Sequence, residues 1–154
     1  MRLSKGFTLI ELLVVIGVIG ILAAIVLVAV NPQRQFAQAR DTQRRSDLYA
    51  LTNAIYQFAA EHNGNLPDTD ADDATSNFPT TATCIGDTAP CFDMAAAGNA
   101  AGTETVVPTY IPAMPMDPST GTAANTQYFV SVDVNGRVVA SASGELAGML
   151  TVTR

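Results

Sequence analysis

Residues 7–30 read FTLIELLVVIGVIGILAAIVLVAV, with a single ionisable group, Glu11. No other feature constrains the chain as strongly. As a helix the run extends about 36 Å, enough to cross a hydrocarbon core of roughly 30 Å with some tilt. Arg2 and Lys5 precede it. By the positive-inside rule they keep the N-terminus cytoplasmic and send the C-terminal part of the chain outward. A secretory signal peptide would have a shorter apolar core and a small-x-small cleavage site after it. Here Ala23 and Ala24 lie inside the run. A plain membrane anchor leaves Glu11 unexplained. A carboxylate at membrane depth costs roughly 2.5–3.5 kcal/mol even on the lenient insertion scale, and the run holds no Lys, Arg or His to pair with it.

A partner for Glu11 arises if the chain is cut between Gly6 and Phe7, because the cut makes a new amine on Phe7. Phe7 and Glu11 are spaced i, i+4. In a stack of helices, Glu11 of one subunit can meet the Phe7 amine of the next. Such a pair must offset two desolvation costs, so it serves best as a register device for assembly.

The stretch Lys5-Gly6-Phe7-Thr8-Leu9-Ile10-Glu11-Leu12-Leu13-Val14-Val15-Ile16 resembles the class III signal of type IV pilins and type II secretion pseudopilins. Gly6, Phe7, Thr8 and Glu11 match that motif. The resemblance implies a prepilin peptidase that removes residues 1–6 as a leader and N-methylates Phe7. It further implies assembly through Phe7, Thr8 and Glu11, on an inner-membrane platform driven by an ATPase. It implies an α+β fold, in which a long N-terminal helix, half membrane and half amphipathic, packs on a small antiparallel sheet.

Gly17 and Gly20 interrupt the apolar run. They suit close helix packing through small residues, or, as the resemblance implies, a segment that loosens during assembly. Asn31-Pro32 comes next, and Pro32 is expected to kink the helix or end it near Val30. Residues 31–64 then read as the amphipathic half of the stalk. Leu48, Leu51, Ile55 and Phe58 recur at helical spacing, with Phe36, Ala39 and Ala59 alongside. Tyr49 and Tyr56 are placed at the edges of this seam. Arg40, Asp41, Arg44, Arg45 and Asp47 are expected on the wet faces. Arg34, Arg40, Arg44 and Arg45 form a basic band, read as a solvated or lipid-headgroup face or as a contact for an acidic neighbouring subunit. Asn63-Gly64 should stop the helix.

Charge divides along the chain. Residues 1–62 carry six Lys/Arg and four Asp/Glu, a net of +2, and residues 63–154 carry two Arg and ten Asp/Glu, a net of −8. An acidic head offers no footprint for nucleic acid. Cys84 and Cys91 are too few, with a single His, for a zinc site. In an exported domain they read as a disulfide, with two free thiols as the alternative.

Residues 65–126 form a turn-rich loop region around those cysteines, with a short helix expected near residues 92–97. The run Asp68-Thr69-Asp70-Ala71-Asp72-Asp73 fits the first positions of an EF-hand loop but has Asp73 where the loop needs Gly, and Pro79 where it needs Glu. It reads as a solvated acidic loop. Pseudopilins carry a calcium loop near the position of Asp117-Pro118, but here Ser119-Thr120-Gly121 stands where Trp-Gly-Asn is usual. Asp117 and Asp133 are the calcium candidates; otherwise no cofactor is expected.

Residues 127–154 form the sheet. Segments 128–134 and 137–142 flank Asn135-Gly136, a strong hairpin signal. Tyr128, Val130, Val132 and Val134 alternate onto one face. Residues 146–153 return as a third strand, and the apolar face is expected against Leu51, Ile55 and Phe58.

The chain shows no catalytic constellation. His62, the only His, is placed as a capping or exposed residue at a helix end, and no glycine-rich phosphate loop is present. The sequence therefore reads as a non-enzymatic, fibre-forming subunit that sits in the inner membrane before assembly and then forms a homopolymer. Within that class a pilus subunit is favoured over a major secretion pseudopilin, because of the cysteine pair and the missing Trp-Gly-Asn. A membrane-tethered binding domain or enzyme is the alternative from another class.

Overall fold

The computed structural model describes residues 6–70 and 76–154. The leader residues 1–5, and Asp72 and Asp73 of the acidic run, lie outside the described residues. The chain divides into two compact units, residues 1–37 and 38–154.

Helix α1 (Leu9–Val30) fills the first unit, followed by the opening turns of α2 (Pro32–Glu61). The two helices are separated by Asn31, in a left-handed conformation at φ 44°. Asn31 ends α1, and its carbonyl then accepts the N–H groups of Arg34 and Gln35, which start α2. Pro32 sits at the first helical position, where its missing N–H leaves nothing unpaired. The chain is thus helical from residue 9 to 61 with one interruption. Gly17 and Gly20 stay within α1, with nothing within 4 Å of a side chain added there.

In the second unit α2 ends as its residues foretell. Asn63 (φ 57°) and Gly64 (φ 91°) turn left-handed, and the Gly64 N–H returns to the Ala59 carbonyl at 2.7 Å, a Schellman closure. His62 is half-buried, with Nδ1 2.8 Å from the Phe58 carbonyl and its ring stacked on Phe58 at 4.0 Å.

The sheet has four antiparallel strands in the order β1 (Thr83–Cys84), β2 (Tyr128–Val132), β3 (Val138–Ser143) and β4 (Met149–Thr153). The fourth strand, β1, comes from the loop region, where Thr83 pairs with Val130 and Cys84 with Phe129. The Cys84–Cys91 disulfide is formed. The helix expected near residues 92–97 is only a turn. Asp93 caps the N–H groups of Ala95 and Ala96, and Gly98 then bridges to Asp68 and Thr105, drawing the chain out straight. Among the described residues of this region a short helical segment, α3, spans Val106–Thr109, with Val107 itself in extended backbone.

The β2–β3 hairpin falls at the expected place but closes differently. Among residues 133–137 only Gly136 has positive φ (77°), so the tight two-residue turn that needs it at both centres is not formed. Asp133 instead accepts the N–H groups of Asn135 and Arg137 on its side chain. Strand β2 therefore stops at Val132, and Val134 is fully exposed.

Leu48, Leu51, Ile55 and Phe58 of α2 join Tyr128, Val130, Val138, Ala140, Leu150 and Val152 in one buried cluster. The alternation read for β2 puts Tyr128 and Val130 into it. The described fold is α+β: a long N-terminal helical segment, of which the part within residues 38–61 packs on a four-stranded antiparallel sheet.

Candidate processing and assembly site

Thr8 begins α1 as its N-cap, with extended backbone at φ −82°, ψ 151°. Its hydroxyl oxygen accepts the Glu11 N–H at 3.3 Å. In return the Glu11 carboxylate accepts the Thr8 N–H at 2.8 Å and the Thr8 hydroxyl at 2.9 Å. This is a capping box, which satisfies donors that the first helical turn would otherwise leave open. It refines one expectation: no cation in the run pairs with Glu11, but in the uncut chain its carboxylate is hydrogen-bonded by its own N-cap, Thr8. The signal is legible as Thr-x-x-Glu before an apolar run.

Gly6, Phe7 and Thr8 lie outside the helix and are exposed. The bond between Gly6 and Phe7 therefore precedes the first hydrogen-bonded turn. Beyond Glu11, α1 runs on to Val30; its 22 residues have mean hydropathy 3.3, and none of them is buried in this chain. Its length of about 33 Å matches a bilayer core. Such a surface is compatible with lipid or with other helices, not with water.

The second unit holds a polar cluster that corrects another expectation. Asp41, Arg44 and Asp47, expected on wet faces, are all buried. Arg44 Nε donates to Asp117 Oδ2 at 2.5 Å, Nη1 to Asp41 Oδ1 at 2.8 Å, and Nη2 to Ser119 Oγ and Glu145 Oε1 at 2.8 and 3.0 Å. Arg40 pairs with Glu145 from the exposed side. Asp41 also accepts the N–H groups of Glu145, Leu146 and Ala147. These bonds fold residues 144–148 into a turn, and β4 starts only at Met149. Tyr128 donates to Asp47 at 2.6 Å. Arg40 and Arg44 are therefore not a solvated basic band. Buried charge is tolerated where it is paired and fully hydrogen-bonded.

The electrostatics follow this packing. Burial pushes the Asp41 carboxyl up, but the Glu145 and Leu146 N–H groups, the Arg44 guanidinium and the Ala147 N–H outweigh it and hold the group at about 2. Asp117 is likewise raised by burial and brought well below the ordinary carboxylate range by Arg44, Ser119 and Thr120. Its interaction with Asp117 raises the Arg44 guanidinium above its usual value.

Asp117 and Asp133 stand apart in role. The Asp117 oxygens take Arg44, Ser119 and Thr120, and those of Asp133 take Arg137 and the hairpin N–H groups. Among the described residues no group of three or more His, Cys, Asp or Glu is placed to hold a metal ion.

The family model for the prokaryotic N-terminal methylation motif matches residues 1–27. No curated protein and no solved structure matches the chain. The matched segment contains Gly6, Phe7, the Thr8–Glu11 box and most of α1, and such a motif suggests a structural subunit. Residues 1–27 thus carry the N-terminal methylation motif, the class III signal peptide of type IV pilins and pseudopilins, which supports a pilin-like or pseudopilin precursor.

Proposed function

We propose that the protein is the structural subunit of a type IV pilus-like fibre. A prepilin peptidase cuts after Gly6 and methylates the Phe7 amine. Before assembly, α1 holds the subunit in the inner membrane with its N-terminus cytoplasmic and residues 38–154 outside. An assembly platform and its ATPase then draw α1 out of lipid and against the α1 helices of other copies. The observation that carries this is the match of residues 1–27 together with a 22-residue helix that buries none of its residues in its own chain. During assembly Glu11 exchanges the Thr8 donors for the Phe7 amine of a neighbour. The ion pair forms where water is scarce, so it holds register.

The same motif serves secretion pseudopilins. The Cys84–Cys91 disulfide and the Ser119-Thr120-Gly121 turn favour the pilus reading. Intact-mass analysis of material sheared from the cell surface tests it. The expected species starts at Phe7, carries one added methyl group and sediments as long fibres. Lys5 is the only lysine of the chain, so a chain cut at this point has a single amine, on Phe7, and amine labelling reads that site alone. Absence from the surface, with a periplasmic polymer in its place, would transfer the assignment to secretion.

A further inference from the structure

Within residues 38–61 of α2 the large apolar side chains Leu48, Leu51, Ile55 and Phe58 are buried, but Tyr49 is 51% exposed. Arg45 lies one turn earlier on the same exposed side. Unlike Arg40 and Arg44, it makes no ion pair among the described residues. The second unit also has a hole. A cavity of about 190 Å³ opens beside the disulfide loop, lined by Ile85, Met94, Met114 and Met116. Asp87 and Asp93 complete its lining. Asp87 is exposed and Asp93 half-buried, which puts them toward its solvent side. Asp87 uses one oxygen for the Thr88 hydroxyl, and Asp93 one for the N–H groups of Ala95 and Ala96. Neither carboxylate has an ion pair among the described residues.

We infer that Tyr49 of one copy of this chain enters the methionine-lined cavity of a second copy, with Arg45 meeting Asp87 and Asp93 at its mouth. Tyr49 does not fill its own chain's cavity, since it stands exposed. An apolar cavity of about 150 Å³ is enough for a benzene-sized group. Thioether sulfur makes favourable contacts with aromatic rings, and a tyrosine can keep its hydroxyl toward water. Residues one turn apart have Cβ atoms about 5–6 Å apart, so a seated Tyr49 brings Arg45 to the mouth of the same cavity. A second copy is the fitting partner because the charges complement. The donor is an arginine without an ion pair in the net-positive part of the chain, and the acceptor lies in the part with net charge −8. Knob and hole are different patches of one chain, so the contact is head-to-tail and can repeat without closing. The inference rests on the fibre-subunit reading and names the contact that would join its heads.

The test places a benzophenone-bearing amino acid at position 49 of the full-length chain and mixes isotopically heavy and light copies. After illumination, mixed-isotope cross-links at Met94, Met114 or Met116 are expected. In the same assay Arg45→Asp and Asp87→Arg should each lower their yield at least about fivefold, the effect of roughly 1 kcal/mol, and the double variant should restore it. Cross-links confined to one copy, to other parts of a second copy, or to another protein overturn the docking, and so does illumination that yields none. If the unsubstituted chain forms fibres but the chain substituted at position 49 gives no such cross-link, the docking falls and the subunit reading stands. If no fibres form but the cross-link appears between purified copies, the subunit reading falls and the docking stands.

Discussion

Arg44 Nε and Asp117 Oδ2 meet at 2.5 Å across 73 positions of sequence, with side chains only 3% and 5% exposed. The bond ties helix α2 to the irregular segment that leads into β2. Asp41 and Glu145 join it from the other side, so one guanidinium gathers three separate parts of the head.

Removing that guanidinium leaves buried carboxylates without their counter-charge. Breaking such a pair costs about 3–5 kcal/mol. At roughly 4 °C per kcal/mol for a unit of this size, Arg44→Ala should lower the melting temperature by about 12–20 °C. Thermal unfolding followed by circular dichroism in detergent measures it. A drop of only a degree or two would contradict the role given to the cluster.

The same cluster sets the response to acid. Asp41 is held at about 2, against an ordinary 3.8, and Asp117 is lowered in the same direction. A depressed carboxyl contributes stability that is complete above the unfolded value and is lost as pH falls toward the folded one. The melting temperature should therefore hold from pH 7 to about 5 and fall between about pH 4 and pH 2. Asp41→Asn should flatten that acid limb, its share being on the order of 2 kcal/mol.

Glu11→Ala should leave membrane insertion intact, since it removes a carboxylate from an apolar helix. It should abolish fibres, because neither the Thr8 box nor a neighbour's amine then has its acceptor. Carbonate extraction and shearing read the two effects separately. Normal fibre yield from this variant would remove Glu11 from the assembly mechanism.

The disulfide closes a short loop, worth about 2–3 kcal/mol through the unfolded chain. Replacing both Cys84 and Cys91 by Ser should lower stability by that amount and speed hydrogen exchange at Ile85, whose N–H donates to the Tyr128 carbonyl at 2.8 Å. Unchanged exchange there would show that β1 holds without the cross-link.

Calcium should not stabilise the protein. Asp117 and Asp133 already accept Arg44, Arg137 and backbone N–H groups, and a cation would have to displace those donors. Melting with calcium and with a chelator should coincide. A rise on adding calcium would return these two residues to the candidate ligands.

Sequence alone determined much of this protein, because the signals are local. The apolar run made a helix that buries nothing, Asn31-Pro32 ended it, and Asn63-Gly64 closed α2. The spacing of Leu48, Leu51, Ile55 and Phe58 marked the buried stripe. The segment around the Gly6–Phe7 bond, with Thr8 and Glu11, needs only a few adjacent residues to be recognised. Charge at long range was a different matter. Asp41 and Arg44 continue the stripe of Leu48 and Leu51 at spacings of 3 and 4, yet charge normally marks a wet face. Only the fold, which brings Asp117 and Glu145 to Arg44, decides that these residues are buried. The same holds for β1, whose two residues pair only because the disulfide loop comes to lie beside β2. Local capping and periodicity are written in neighbouring residues. The desolvation of an ion is settled by partners that only tertiary structure brings within hydrogen-bond distance.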